Sequence, residues 1–154
     1  MGLEIERKFL VQGQAWRQPP EAQTRFSQGY LSRDPARTVR VRLAGERAFL
    51  TIKGATVGAT RAEFEYEIPP ADAAQLLALC DGPVVDKIRH VLRVGGLCWE
   101  VDEFLGANAG LVVAEIELQS EDQAFERPAW LGVEVTGDAR YVNANLAVRP
   151  YSSW

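Results

Sequence analysis

Hydrophobic and polar residues alternate with a period of two along most of this chain. That period belongs to β-strands, whose successive side chains point to opposite faces. In the opening stretch "LEIERKF", Glu4, Glu6 and Lys8 share one parity, while Leu3, Ile5 and Phe9 hold the other. The same division recurs further on. Arg40 and Arg42 oppose Val39, Val41 and Leu43, and Lys53 opposes Leu50 and Ile52. Arg61, Glu63, Glu65 and Glu67 oppose Phe64, Tyr66 and Ile68. Lys87 and Arg89 flank Ile88, Glu100 and Asp102 flank Val101, and Glu115 and Glu117 flank Ile116.

The alternation predicts eight strands, near residues 2–11, 22–32, 38–44, 47–54, 61–68, 83–94, 97–104 and 111–119. Glycine-containing turns separate many of them, and the two-residue Gly95-Gly96 link is a hairpin signal. Helix signals are few. Residues 69–83 begin with Pro69-Pro70 and end with Gly82-Pro83, the punctuation of a helix. In residues 120–125, Ser120 and Gln123 form a capping-box pattern that predicts a second helix. A weaker helical period runs through 138–148. No repeat, low-complexity tract or linker divides the chain, which reads as one domain over 1–154.

On any single strand, such alternation describes a sheet with one face in water. Here the polar parity is almost purely Glu, Asp, Arg and Lys in seven of the eight strands. Eight successive strands with short connections also suit a closed barrel, whose interior holds side chains or one small ligand. Parity leaves both faces open as the inside. A lipocalin-like carrier needs an apolar interior, and the charged parity argues against it.

Composition narrows the classes. With 154 residues, 47% of them hydrophobic, the chain suffices for one domain with a sizeable core. A formal charge of −4 provides no basic field to attract nucleic acid or an anionic membrane. No apolar run approaches the roughly 20 residues of a membrane-spanning helix. Glu4, Glu6, Arg7 and Lys8 stand where a signal peptide would carry its apolar segment. Cys80 and Cys98 are too few for a disulfide framework and lack metal-ligand spacing. These features predict a soluble cytoplasmic protein with reduced thiols and neither nucleic-acid nor membrane partners, and they leave a homodimer open.

The ordered set "EIERK", "VRVR", "TIKG", "EFEYEI", "DKIRH", "WEVDEF", "AEIELQS" and "EVTGDARYVN" resembles the CYTH superfamily, the triphosphate tunnel metalloenzymes, along the whole chain. "EIERKFLV" with "QGYL" is most similar to its short bacterial inorganic triphosphatases. The resemblance implies a mainly β fold, a closed eight-stranded antiparallel barrel forming a charged tunnel, with a few helices packed outside. It also implies a triphosphate ligand bound with Mg²⁺ or Mn²⁺. Carried over by position, Lys8, Arg40, Arg42, Lys53, Lys87 and Arg89 match the family's phosphate-binding bases. Glu4, Glu6, Asp102, Glu115 and Glu117 match its metal-binding acids, and Glu63, Glu65 and Glu100 match further tunnel acids. Tyr30, with Lys53, matches a pair that assists the chemistry. His90 stands where relatives often carry Tyr, and its parity assigns it to packing.

These residue types suit the implied chemistry. Arginine presents planar paired donors and lysine a compact charge, so six bases around a tunnel can hold a row of phosphates. Phosphoryl transfer depends on positioning and charge stabilisation, which needs no nucleophilic triad. Mg²⁺ takes a few carboxylates and completes its shell with water and phosphate oxygens. Glu63, Glu65 and Glu100 serve equally as ion-pair partners for the bases. Tyrosine also caps strand cores with its hydroxyl in water, which is the plain structural role for Tyr30. The implied activity is metal-dependent hydrolysis of tripolyphosphate to pyrophosphate and phosphate. The alternatives are another triphosphate reaction of the family (a class IV type adenylyl cyclase, a thiamine triphosphatase or a nucleoside triphosphatase) and a non-catalytic polyphosphate- or metal-binding module.

Overall fold

The computed structural model describes residues 2–154. Its strands are β1 (Leu3–Val11), β2 (Ala22–Ser32), β3 (Arg37–Ala44), β4 (Arg47–Gly54), β5 (Thr60–Ile68), β6 (Asp81–Val94), β7 (Leu97–Phe104), β8 (Val112–Glu117) and β9 (Leu131–Glu134). Helix α1 (Pro70–Ala78) follows β5, and the short α2 (Asn143–Leu146) lies near the C-terminus. Every strand pairing is antiparallel, in the order β5-β4-β3-β2-β6-β7-β8-β1. β1 also pairs with β5, so these eight strands close into a barrel.

Closure settles which parity faces inward. The charged residues turn into the barrel; the apolar parity turns outward into two cores, and a third apolar core, on the same parity as the charges, lies inside one end of the barrel. Phe9, Trp99, Val101, Ala114 and Ile116 form an outer layer on β1, β7 and β8, covered by Trp16 and Trp130 from the loops after β1 and before β9. Val41, Ala48 and partly buried Leu43, Leu50 and Ile68 lie beneath α1 through Ala73, Leu76 and Leu77. Gly29 permits that contact, since a Cβ there would lie 2.9 Å from Cys80 Sγ. The third core gathers Val85, Phe104, Leu111 and Val113 under Tyr141, Ala144 and Leu146 of the C-terminal segment. The fully buried Trp16, Phe9 and Trp99 thus sit outside the barrel wall.

Most predicted elements appear within two residues of their expected ends. The Gly95-Gly96 turn has φ angles of 59° and 80°, the left-handed pair that a two-residue hairpin link needs. Residues 120–125 form no helix. Gln123 does reach back, its side chain accepting from the Gln119 N–H at 2.7 Å, but only one turn forms. Phe125 then packs against the core of Phe9 and Trp99, an inward course that helical continuation would break. Residues 138–148 hold one 3₁₀ turn and one α-helical turn instead of a continuous helix. The alternation Leu131, Val133, Val135 signals β9, a strand beyond the eight predicted. It pairs with β1 at Phe9 and Val11, beyond the Leu3–Ile5 stretch that β5 covers.

Candidate functional site

The inward side chains enclose a cavity of about 530 Å³. Of the residues assigned from sequence, Tyr30, Lys8, Arg40, Arg42, Lys53, Lys87, Arg89, Glu4, Glu6, Glu63, Glu65, Glu100, Glu115 and Glu117 all line it. Asp102 shares their parity but lies behind the wall. Arg7, the fourth residue of "EIERK", points outward and donates to both carboxylate oxygens of Glu134.

One side of the lumen is cationic. Arg40 and Arg42 project from β3, Lys87 and Arg89 from β6, and β2, whose inward side chains Phe26, Gln28 and Tyr30 are uncharged, runs between them. Asp102 on β7 organises the β6 pair: Lys87 Nζ donates to Oδ2 at 2.7 Å, while Arg89 Nε and Nη2 donate to its two oxygens at 2.8 Å. Burial would raise the Asp102 pKa, but Arg89 and Lys87 hold it well below the usual carboxylate range. The Phe26 ring provides a face for three of the cations, with Arg42 at 4.6 Å, Arg89 at 4.9 Å and Lys87 at 5.9 Å from its centroid. Gln28 accepts from Arg42 Nε at 2.9 Å and donates to the Tyr30 hydroxyl at 2.9 Å and to Asn143 Oδ1 at 3.1 Å. Asn143 also accepts from Lys87 Nζ at 2.9 Å. The C-terminal segment therefore lies against this end of the barrel, and Thr136, Asp138 and Asn143 line the cavity.

The facing side is acidic. Glu4 and Glu6 on β1, Glu63 on β5 and Glu115 and Glu117 on β8 all enter from three adjacent strands. Several have cationic partners: Lys53 lies 3.2 Å from Glu4 and 3.4 Å from Glu63, and Glu115 meets Arg89 at 3.1 Å and Lys8 at 3.6 Å. Arg40 contacts Glu65 at 3.4 Å, and Arg89 contacts Glu100 at 3.3 Å. Glu6 and Glu117 differ. They stand directly opposite each other in the β1–β8 ladder. Among the described residues, neither makes a hydrogen bond or ion pair through its carboxylate. Like charges in such register repel.

Proton affinities record this polarisation. Burial, with Glu115 and Glu4 adding, pushes the Glu6 carboxyl up to about 8. Glu6 keeps some contact with water through the lumen, yet protein surrounds it closely enough for burial to dominate. Burial and Glu4 likewise raise Glu117, and burial raises Glu100. On the opposite side, burial together with Arg40 and Arg89 pushes Arg42 down to about 9. Burial also lowers Lys87 to about 7; Asp102 opposes this, and Arg89 and Arg42 reinforce it. One face therefore holds excess positive charge and the other excess negative charge.

A divalent cation fits the acidic face. The directly opposed, unpartnered Glu6 and Glu117 are the arrangement that an ion relieves. Among the described residues, no three His, Cys, Asp or Glu side chains converge into a closed ligand cluster. Two facing carboxylates can serve a hard divalent ion that completes its shell with water and phosphate oxygens.

Phe26, Gln28, Arg33, Arg61 and Asn143 contribute to the lumen and fell outside the residues singled out from sequence. Phe26 and Gln28 share parity with Tyr30, and strand parity could have found them. Arg61 stands on the charged parity of β5. Asn143 enters from a distant segment and carries no local signal.

An antiparallel barrel with opposed anionic and cationic walls defines a tunnel for a complex of a metal ion and a polyanion. The chain belongs to the CYTH domain family, whose model matches residues 2–151. An inorganic triphosphatase of Acetivibrio thermocellus is 47% identical over 155 residues, spanning 100% of this chain and 99% of that protein. An inorganic triphosphatase of Nitrosomonas europaea is 37% identical, spanning 94% and 97%. A solved inorganic triphosphatase structure superposes with a TM-score of 0.68 at 35% identity, covering 94% of each chain. The closed barrel expected from the resemblance is thus the observed fold, and among the described residues no helix is long and apolar enough to cross a membrane.

Proposed function

We propose that this chain is a metal-dependent inorganic triphosphatase that hydrolyses tripolyphosphate to pyrophosphate and phosphate. The observation that carries this reading is the split of one cavity into a cationic wall (Arg40, Arg42, Lys87, Arg89) and an acidic wall where Glu6 opposes Glu117 without a cation. A polyanion alone satisfies only the first wall, and a metal ion alone only the second. The full-length similarity to two inorganic triphosphatases supports the same substrate. Tyr30 is the one aromatic side chain among the described lining residues, and the Phe26 ring behind them is taken up by Arg42, Arg89 and Lys87, so a nucleobase would find little to stack on.

Each residue has a role in this reading. Arg40, Arg42, Lys87 and Arg89 fix phosphate oxygens by charge-assisted hydrogen bonds. Asp102 acts behind them as a positioning residue for Lys87 and Arg89. Glu6 and Glu117 hold Mg²⁺ or Mn²⁺, with Glu4 and Glu115 beside them and engaged with Lys53 and Lys8. The ion, when bound, neutralises phosphate charge and makes a coordinated water easier to deprotonate. Lys8 and Lys53 bridge the two walls. Arg42 fixes the Gln28 amide so that its NH₂ donates to the Tyr30 oxygen. The Tyr30 proton is then left to donate into the lumen, towards a phosphoryl oxygen.

The direct test is phosphate release from tripolyphosphate, ATP and thiamine triphosphate, each with Mg²⁺ and with Mn²⁺. Tripolyphosphate is expected to have the highest kcat/KM. A preference for either organic triphosphate would replace this reading with another family activity, and no turnover of any would leave a binding module. Tyr30→Phe separates packing from chemistry, because the ring stays in its core and one hydroxyl is lost. Turnover is expected to fall about 10²-fold, with the melting temperature nearly unchanged. Wild-type turnover in this variant would assign Tyr30 to packing alone.

A further inference from the structure

Two covers protect the outward apolar parity of the barrel. Trp16 and Trp130 close over β1, β7 and β8, and α1 closes over β2, β3 and β4. Between them one arc of the wall stays bare. Leu3 is 66% exposed, Ile52 38%, Phe64 47% and Tyr66 57%, and all four stand on the outward parity of β1, β4 and β5. Register joins them into one strip. Leu3 stands opposite Ala62 and Ile52 opposite Phe64, with Tyr66 next on the same face of β5. The outward positions of β5 carry no charge, being Thr60, Ala62, Phe64, Tyr66 and Ile68.

The strip lies astride the seam of the barrel. β1 and β5 share three residue pairs, the shortest ladder in the barrel. One further bond joins the Glu63 N–H to the Gly2 carbonyl at 3.0 Å. The Phe64 ring rests against Gly2, where an added Cβ would lie 3.2 Å from it. The least-paired join of the wall therefore sits under its least-covered apolar surface.

Size and charge indicate what covers it. An aromatic side chain buries 150–250 Å² when covered, so two half-exposed rings with Leu3 and Ile52 present roughly 400 Å² of apolar surface. Patches of that size on a single chain mark interaction sites. A standard interface buries about 800 Å² per partner, about two-thirds of it apolar in homodimers, so the strip supplies most of one such core. A two-fold contact is self-complementary, and an uncharged strip meets its own like without stranding a charge. Arg47 and Glu67, exposed and paired near the Tyr66 end, can meet their counterparts with signs opposed. With a net charge of −4 and no cation on the strip, neither an anionic membrane nor a nucleic acid matches it.

We propose that a second copy of this chain docks on the strip of Leu3, Ile52, Phe64 and Tyr66 about a two-fold axis, each barrel covering the other's seam. The modest area places the dissociation constant in the micromolar range.

The experiment is sedimentation velocity from about 1 to 200 µM, with thermal melts of the same samples. It uses the wild type, Phe64→Lys, Tyr66→Lys and Val133→Lys. Val133 is 71% exposed on β9, away from the strip, and serves as the control. The wild type and Val133→Lys are expected to pass from monomer to dimer across the series. Their melting temperatures should rise with concentration, because association stabilises only the folded chain. Phe64→Lys and Tyr66→Lys should stay monomeric and melt at one temperature throughout. Both positions are about half exposed, so these chains fold, and a melt near that of the dilute wild type checks it. Should one fail that check, the other decides. A wild type that stays monomeric at the highest concentration overturns the proposal. So does a dimer that survives a folded strip variant, or one that Val133→Lys also abolishes, because the interface would then lie elsewhere. Assemblies larger than a dimer would overturn the two-fold contact.

Discussion

Arg42→Ala is expected to lower kcat/KM for tripolyphosphate by roughly 10²–10³, the loss seen when one preorganised charge donor is removed from a transition state. Its melting temperature should change little. Arg42 has no carboxylate partner, and burial beside Arg40 and Arg89 already disfavours its charge. Truncation relieves that repulsion and gives up one contact with the Phe26 ring and the bond to Gln28, whose oxygen lumen water can reach through the space left behind. Lys87→Ala should lose similar activity but behave differently as a protein. Lys87 is 1% exposed and shares the fully buried Asp102 with Arg89. Removing one partner of a buried ion pair destabilises by about 3–5 kcal/mol, and the remaining Arg89 should keep the cost near the lower end. Steady-state phosphate release and thermal melts on both variants read the two effects separately. Wild-type kinetics in Arg42→Ala would mean that the cationic wall does not hold the substrate.

Metal removal is expected to abolish turnover. In EDTA, tripolyphosphate hydrolysis should fall to background, because Glu6 and Glu117 would repel the anion they otherwise help to bind. The metal-free protein should also show the strain in its stability. Glu6 keeps its proton up to about pH 8 when folded, against 4.5 for a glutamate in the unfolded chain. Between those values the folded state binds more protons than the unfolded chain, so stability falls as pH rises. Burial raises Glu117 and Glu100 in the same direction. Lys87 has the opposite sign, but its window begins near 7. From about pH 5 to about pH 7, the metal-free stability should therefore decline, at up to about 1.4 kcal/mol per pH unit for each extra proton held, and the melting temperature with it. Glu6→Gln should flatten the decline. Mg²⁺ should reverse it in the wild type by replacing the proton, adding about 2.7 kcal/mol at a hundred times its dissociation constant. Full turnover in EDTA, or the same pH slope in Glu6→Gln, would remove metal binding from this pair.

Strand count, helix α1 and the Gly95-Gly96 hairpin were legible because their causes are local. Period-two alternation, proline and glycine punctuation, and left-handed turn residues act within a few positions. The capping box at 120–125 misled for a matching reason: the local signal is present, and Gln123 does reach back to the Gln119 N–H, but Phe125 is drawn into the core of Phe9 and Trp99. Burial of an aromatic ring outweighed a cap. β9 shows the converse, since its alternation covers too few residues to stand out until β1 offers an unpaired upper edge.

The sequence by itself determined that charged residues gather on one parity of seven strands, with Glu4, Glu6 and Lys8 together on one and Arg40 with Arg42, Lys87 with Arg89 and Glu115 with Glu117 as pairs on others. It could not choose the inward face, because alternation is symmetric between the two sides of a sheet. Only the β1–β5 closure made that choice, by enclosing one parity and leaving the other to be covered from outside. Tertiary structure also decided which charges are free. Asp102 and Glu117 look alike along the chain, yet register places the first behind Lys87 and Arg89 and the second opposite Glu6. Residues without a local signal, Asn143 and Arg33, enter the tunnel because distant segments meet at the barrel's end. Ion pairing depends on distances across strands, and those distances exist only once the barrel has closed.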